Sequence, residues 1–317
     1  MPSSPFAVVR TPRLAPPLRP PGRPPGRFLR VAGRAVHVVE DGPPGGIPVV
    51  LGAGLGGAWL GWEGLVRALE GSCRLIRVDR PGLGRSEPAP EPPTLAGRAR
   101  WLAAVLDAAG AGGPVVLVGH SLAGLYTEAF ARLLPDRTAG VVLVEAAPER
   151  EVAPPQRLRG ARVLAARGVG ELFRRVGLSQ LVAPAIRRQG VRTQSRTGRD
   201  PDDTGDAYRS AYGAGHCLTA ALVERVLFRD LNAELRSLRV GFRFPEVPLQ
   251  VVSGPLSDPR PHRELAAMSP LGQYRMAPGA RHLVPVDRPD VIAHAVRDVL
   301  DAAGRRAPAA VRTRPRT

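Results

Sequence analysis

Ser121 stands in Gly119-His120-Ser121-Leu122-Ala123-Gly124, directly after the apolar run Val115–Val118. The run reads as a strand buried on both faces. Apolar residues at 122, 125, 126, 129, 130 and 133 then form a helical stripe that Pro135 ends. A serine on so sharp a strand-to-helix turn has its hydroxyl held clear of the sheet, the arrangement of an activated nucleophile. Its neighbours two positions away must be small, and Gly119 and Ala123 are, although Ala123 stands where glycine is usual. The helix N-terminus beside it favours developing negative charge. Helix capping is the competing role for such a serine, but the strand–turn–helix context favours nucleophilic attack on a carbonyl. That chemistry requires a general base, a group to orient it and two donors for an oxyanion.

The elements needed to position such groups alternate along the chain. Phe28–Val31 and Ala35–Val39 read as a hairpin turning at Ala32-Gly33. Strands are expected at 47–51, 74–78, 115–118, 141–144, 249–252 and 273–276. Helical patterns cover 59–69, 95–109, 122–134, 261–268 and 291–300. This alternation implies an α/β fold with a doubly wound, mostly parallel sheet. It pauses over 149–246, where helical, basic segments such as 161–176 and 217–231 read as an inserted helical cap. The core is therefore expected over 28–148 and 247–303. Residues 1–27, rich in Pro and Arg, read as a disordered arm, and 304–317 as a disordered basic tail.

The formal charge is +17 over 317 residues, and all 45 basic residues are arginine. The excess is local. Residues 1–30 carry six Arg and no acid, 304–317 five Arg and no acid, and 149–246 eighteen Arg against eleven acids, while the remainder has 16 Arg against 17 acids. A nearly neutral core without a groove-reading motif argues against a nucleic-acid partner. No run approaches the roughly 18 apolar residues of a membrane span, no apolar signal region opens the chain, and the cytoplasm is the expected location. Two cysteines, Cys73 and Cys217, leave no disulfide framework, and His216-Cys217 is not a metal pair on this spacing. No cofactor or metal is expected.

The chain resembles the α/β-hydrolase superfamily over most of residues 28–303. The resemblance rests on the elbow around Ser121 together with Val49-Val50-Leu51-Gly52-Ala53-Gly54-Leu55-Gly56-Gly57. It also rests on Asp79-Arg80-Pro81-Gly82-Leu83-Gly84-Arg85-Ser86, Gly279-Ala280-Arg281-His282 and Arg288-Pro289-Asp290. Several motifs in the family's order are far more specific than any one. The resemblance implies that His282 is the general base, since the family's histidine lies after a late strand and before the final helix. His37, His120, His216, His262 and His294 have weaker cases. Asp258, after the strand at 249–252, is the favoured acid because the order Ser, Asp, His is met. Glu145, at the end of the strand that follows the nucleophile helix, is the alternative, and Asp79 reads as a turn-former. The resemblance places the oxyanion donors at the backbone amides of Leu55 and Leu122. The family's histidine before that loop is replaced here by Ala53, which leaves the bracing of the loop open.

These residues describe a cofactor-free serine hydrolase working through an acyl-enzyme, with carboxylic esters as the first substrate class. Amides, lactones and thioesters are further candidates. The insert is expected to select the small-molecule substrate. Its apolar residues, among them Leu164, Leu172, Leu181, Leu227 and Phe228, either line an acyl pocket or form the insert's own core. A binding protein that kept the fold is the rival from another class. Perhydrolysis or C–C cleavage is the rival within it.

Overall fold

A computed structural model describes residues 25–69, 71–146 and 156–306. The Pro/Arg-rich arm and the basic tail lie largely outside the described residues. Where they meet the fold, β1 begins at Arg27 and the last helix continues through Arg306, past the start expected for the tail.

The chain opens with β1 (Arg27–Val31) and β2 (Arg34–Asp41), an antiparallel pair. Ala32 and Gly33 join them with φ 48° and 77°, the left-handed pair that matches strand twist in a two-residue hairpin. Then come β3 (Val49–Gly52), α1 (Glu63–Leu69), β4 (Leu75–Val78), α2 (Leu95–Ala108), β5 (Val115–His120), α3 (Leu122–Leu133) and β6 (Thr138–Val144). Four helices follow: α4 (Arg159–Arg175), α5 (Ser179–Gln194), α6 (Gly205–Tyr212) and α7 (Cys217–Gly241). The sheet resumes with β7 (Leu249–Ser253), α8 (Pro259–Ala266) and β8 (Gly272–Met276), and the chain ends in α9 (Val284–Asp287) and α10 (Pro289–Arg306).

The eight strands form one sheet in the order β1-β2-β4-β3-β5-β6-β7-β8. Only the β1–β2 and β2–β4 pairs are antiparallel. Every residue of β5 is buried, because helices cover both faces of the sheet. Val116 and Val118 pack with α1 and α10 through Leu65, Ile292 and Val296. Val115 and Leu117 face α2 and α3 through Leu106 and Phe130. Central β3, β5 and β6 thus deliver their carboxyl ends side by side, the usual place for a site in an open parallel sheet.

The insert makes its own small core. Val163 and Ala166 of α4 meet Val223 and Leu227 of α7, while Leu164, Leu172 and Leu181 are exposed. Among the described residues, no helix is long and apolar enough to cross a membrane. Cys73 and Cys217 are both free thiols.

Candidate active site

Among the described residues only three non-glycine residues have positive φ: Ala32 in the hairpin, Ser121 (51°) and Glu145 (49°). Such backbone costs on the order of 1–3 kcal/mol and persists where its surroundings enforce it. At Ser121 the surroundings are tight. A Cβ on Gly119 would lie 2.5 Å from the Thr127 hydroxyl and 2.8 Å from the Ala123 carbonyl, and one on Gly124 would lie 2.2 Å from the Ala146 methyl. The Ser121 amide donates to the Val144 carbonyl (2.9 Å), which ties the elbow to β6. The Ser121 side chain makes no cap bond to α3, so its hydroxyl is not used as a helix cap.

That hydroxyl lies 3.0 Å from Nε2 of His282, whose Nδ1 lies 3.3 Å from Oε2 of Glu145. Glu145 is the first residue beyond β6, and its amide donates to the Val252 carbonyl of β7. Its carboxylate is nearly enclosed. Oε1 accepts the Gly254 amide (2.6 Å), and the Ser257 hydroxyl donates at 2.8–3.0 Å. Burial pushes this carboxyl up, but the hydrogen bonds from His282, Gly254 and Ser257 outweigh it and hold the group below its ordinary value. Glu145 is thus a carboxylate at neutral pH, fully engaged by four contacts.

The structure pairs His282 with Glu145 and not with Asp258. Asp258 is the N-cap of α8: its side chain accepts the Arg260 amide (3.0 Å) and pairs with the Arg260 guanidinium. The reason is legible in the local sequence, since Asp followed by Pro at the first helical position is a helix-start signal. The loop after β7 contributes to the site through Gly254 and Ser257 instead.

The loop carrying His282 is held from three sides. The Leu283 amide donates to the Gln194 carbonyl at the end of α5 (3.0 Å), and the Arg281 amide donates to Asp287 (2.8 Å). His120 lies beneath it, with Nε2 at 2.9 Å from the His282 carbonyl. Burial first, then the proximity of His282, push His120 down to about 3. It is therefore neutral, and Nε2 carries the proton it donates. A depressed histidine contributes stability above its ordinary value of 6.5 and loses it as pH falls towards the folded value. Between these two values stability should fall by up to about 1.4 kcal/mol per pH unit from this residue. Denaturant midpoints taken at about pH 7 and about pH 5 should therefore separate more in the wild type than in His120→Asn. Equal separations would remove this role.

After β3, the loop Ala53–Gly57 passes over the elbow: a Cβ on Gly54 would lie 2.9 Å from the His120 ring and 3.4 Å from Ser121 Cβ. No acceptor is found for the Leu55 or Leu122 amide among the described residues. Ala53 replaces the family's histidine, and the bracing comes from two residues that the sequence did not single out. The buried Arg80 guanidinium donates to the Ala53 and Gly54 carbonyls and pairs with Glu224 of α7 at 2.7 and 2.9 Å. Glu224 also accepts the Gly56 amide (2.9 Å). Asp79, expected as a turn-former, accepts the Arg85 amide of its turn. It also accepts the Trp59 amide and lies 2.7 Å from His37 Nδ1.

A cavity of about 540 Å³ opens over these groups. Ser121, His282, Gly54 and Leu55 line it from the core, with Ile186, Arg187, Leu218, Arg225 and Phe228 from the insert.

The chain belongs to the alpha/beta hydrolase fold family, whose model matches residues 47–289. It is 37% identical over 124 residues to epoxide hydrolase B of Mycobacterium tuberculosis, a match covering 37% of this chain and 34% of that protein. The chain thus matches about a third of the length of this curated relative. Among solved structures it is similar to a thermophilic esterase from Thermogutta terrifontis (TM-score 0.64, 24% identity, covering 88% of this chain and 98% of that one). It is likewise similar to the enol-lactonase from Burkholderia xenovorans LB400 (TM-score 0.62, 24% identity, 87% and 100% covered). Both likenesses concern the fold.

Proposed function

We propose that the protein is a serine hydrolase acting on carboxylic esters through an acyl-enzyme. The observation that carries this reading is the hydrogen-bonded chain Ser121–His282–Glu145 at 3.0 and 3.3 Å. Ser121 Oγ attacks the ester carbonyl as His282 Nε2 takes its proton. The oxyanion is held by the Leu55 and Leu122 amides. The tetrahedral intermediate collapses, and the alkoxide leaves with the proton from His282. Water, deprotonated by His282, then attacks the acyl-enzyme, and the acid departs with Ser121 restored. Glu145 keeps Nδ1 protonated and steadies the imidazolium.

The relative named an epoxide hydrolase raises epoxides as a second class. A serine at the elbow disfavours them on chemical grounds. Attack of Oγ on an epoxide carbon would leave an alkyl ether, which this machinery has no means to hydrolyse, whereas acyl transfer leaves an ester. Apolar side chains from Leu55, Leu125, Ile186, Leu218 and Phe228 on the cavity wall suit an apolar acyl part, and the insert acts as the cap that selects it.

Treatment with an alkyl fluorophosphonate tests the nucleophile directly. Ser121 should displace fluoride and carry a single phosphonyl adduct, found by peptide mass spectrometry. No adduct, or an adduct on another residue, would sink the assignment.

A further inference from the structure

Seven ionisable side chains line the cavity over Ser121: His120, Glu145, Arg187, Tyr212, Cys217, Arg225 and His282. Burial pushes the Tyr212 and Cys217 groups up, so both stay neutral. Glu145 is engaged by His282, Gly254 and Ser257, and His120 is neutral. The two arginines therefore set the charge of the wall, and among the described residues neither forms an ion pair. Other insert arginines are paired: Arg162 with Asp230, Arg174 with Glu171, and Arg188, the next residue after Arg187, with Asp203. A general arginine excess does not account for this contrast between adjacent positions on α5.

Arg187 is the more enclosed of the two, since Arg225 is exposed. Its guanidinium lies over the Tyr212 ring, 5.8 Å from the centroid, and its Nε is buried with no hydrogen-bond acceptor. The nearby acid, Asp200, takes the Tyr208 hydroxyl (2.8 Å). Arg187 also lines a small adjoining cavity with Gly54, Gly57, Gly61 and His120, so it stands beside the loop that passes over the elbow. Asp200 favours the charge from a distance, but keeping a guanidinium in such a place with no carboxylate bonded to it is costly. The cost is offset when a ligand supplies the anion, and a planar carboxylate is the match for a guanidinium fork.

We propose that Arg187 is a substrate-binding residue that takes a carboxylate on the substrate, so that the preferred substrates are esters carrying a carboxylate as well as an apolar segment. This rests on the serine hydrolase reading above for its chemistry, but the anion site is defined by the cavity wall alone. Arg225, at the exposed part of the wall, adds positive potential without an enclosed contact.

Monoethyl adipate and ethyl hexanoate differ by a carboxylate at the far end and serve as the probe pair. With wild-type protein, kcat/KM followed by pH-stat should favour monoethyl adipate by at least about tenfold, the size expected of a charge-assisted contact. The preference should reside mainly in KM. Arg187→Met should bring the ratio towards one, and Arg187→Lys, which keeps the charge but loses the fork, should retain part of it. Titration calorimetry of monoethyl adipate against Ser121→Ala supplies an arm without turnover. There, adding Arg187→Met should weaken binding about tenfold. Ethyl hexanoate turned over with no preference for monoethyl adipate, or a preference that survives Arg187→Met, would overturn the carboxylate site. Calorimetric binding that depends on Arg187, with neither ester turned over by wild type, would support the site while overturning the hydrolase reading.

Discussion

Ser121→Ala and His282→Ala are each expected to lower kcat/KM on p-nitrophenyl esters by about four to six powers of ten, and the double variant should be no worse than either single one. Groups that act as a unit lose nearly everything when one member goes. Glu145→Gln should cost about 10²–10⁴, because a glutamine presents an amide where Nδ1–H needs an acceptor with charge. It should cost some stability as well, since the Gly254 amide and the Ser257 hydroxyl lose their carboxylate. Asp258→Asn should leave hydrolysis within about twofold of wild type, as asparagine caps a helix nearly as well as aspartate. Steady-state kinetics on these five variants decides the assignment. A collapse in Asp258→Asn with Glu145→Gln intact would reverse the roles given to the two carboxylates, and full activity in Ser121→Ala would remove the nucleophile.

The elbow was readable because everything that defines it is local: an apolar strand, Gly119, Ser121, Ala123 and a helical stripe lie within one short window. The hairpin at Ala32-Gly33, the strands and the basic insert were readable for the same reason. The carboxylate beside His282 was readable only as a choice between Asp258 and Glu145, because it depends on which strand end reaches the histidine loop. Chain order favoured Asp258, whereas β6 pairs directly with β5 and places Glu145 beside the elbow with a backbone conformation no pattern announces. The Asp258-Pro259 pair did carry a signal, but it was that of a helix cap. Helices α5 and α6 were not singled out, and Pro184 within α5 is a residue that argues against a helix interior. The contact least legible in sequence joins Arg80 to Glu224 across 144 positions. Its trace is an acid on the buried side of α7, between Val223 and Leu227.

That contact carries the second large expectation. Arg80 and Glu224 are both buried, with side-chain exposures of 7% and 4%. Glu224→Leu should therefore strand a buried guanidinium and destabilise the protein by about 3–5 kcal/mol. It should also lower kcat, since Glu224 holds the Gly56 amide while Arg80 holds the Ala53 and Gly54 carbonyls. An oxyanion donor displaced by a fraction of an ångström loses much of its effect, and removal of one donor costs about 10²–10³ in kcat. The double variant Arg80→Met/Glu224→Leu separates the two consequences. Replacing a buried pair by apolar groups of similar volume is often neutral or stabilising, so the melting temperature should recover. The loop would still lack its three polar contacts, so kcat should stay depressed by at least about tenfold with KM little changed. Recovery of both stability and kcat in the double variant would show that the pair only supports the fold. Recovery of stability alone would make Arg80 and Glu224 positioning residues, through which α7 of the insert sets the geometry of the loop over Ser121.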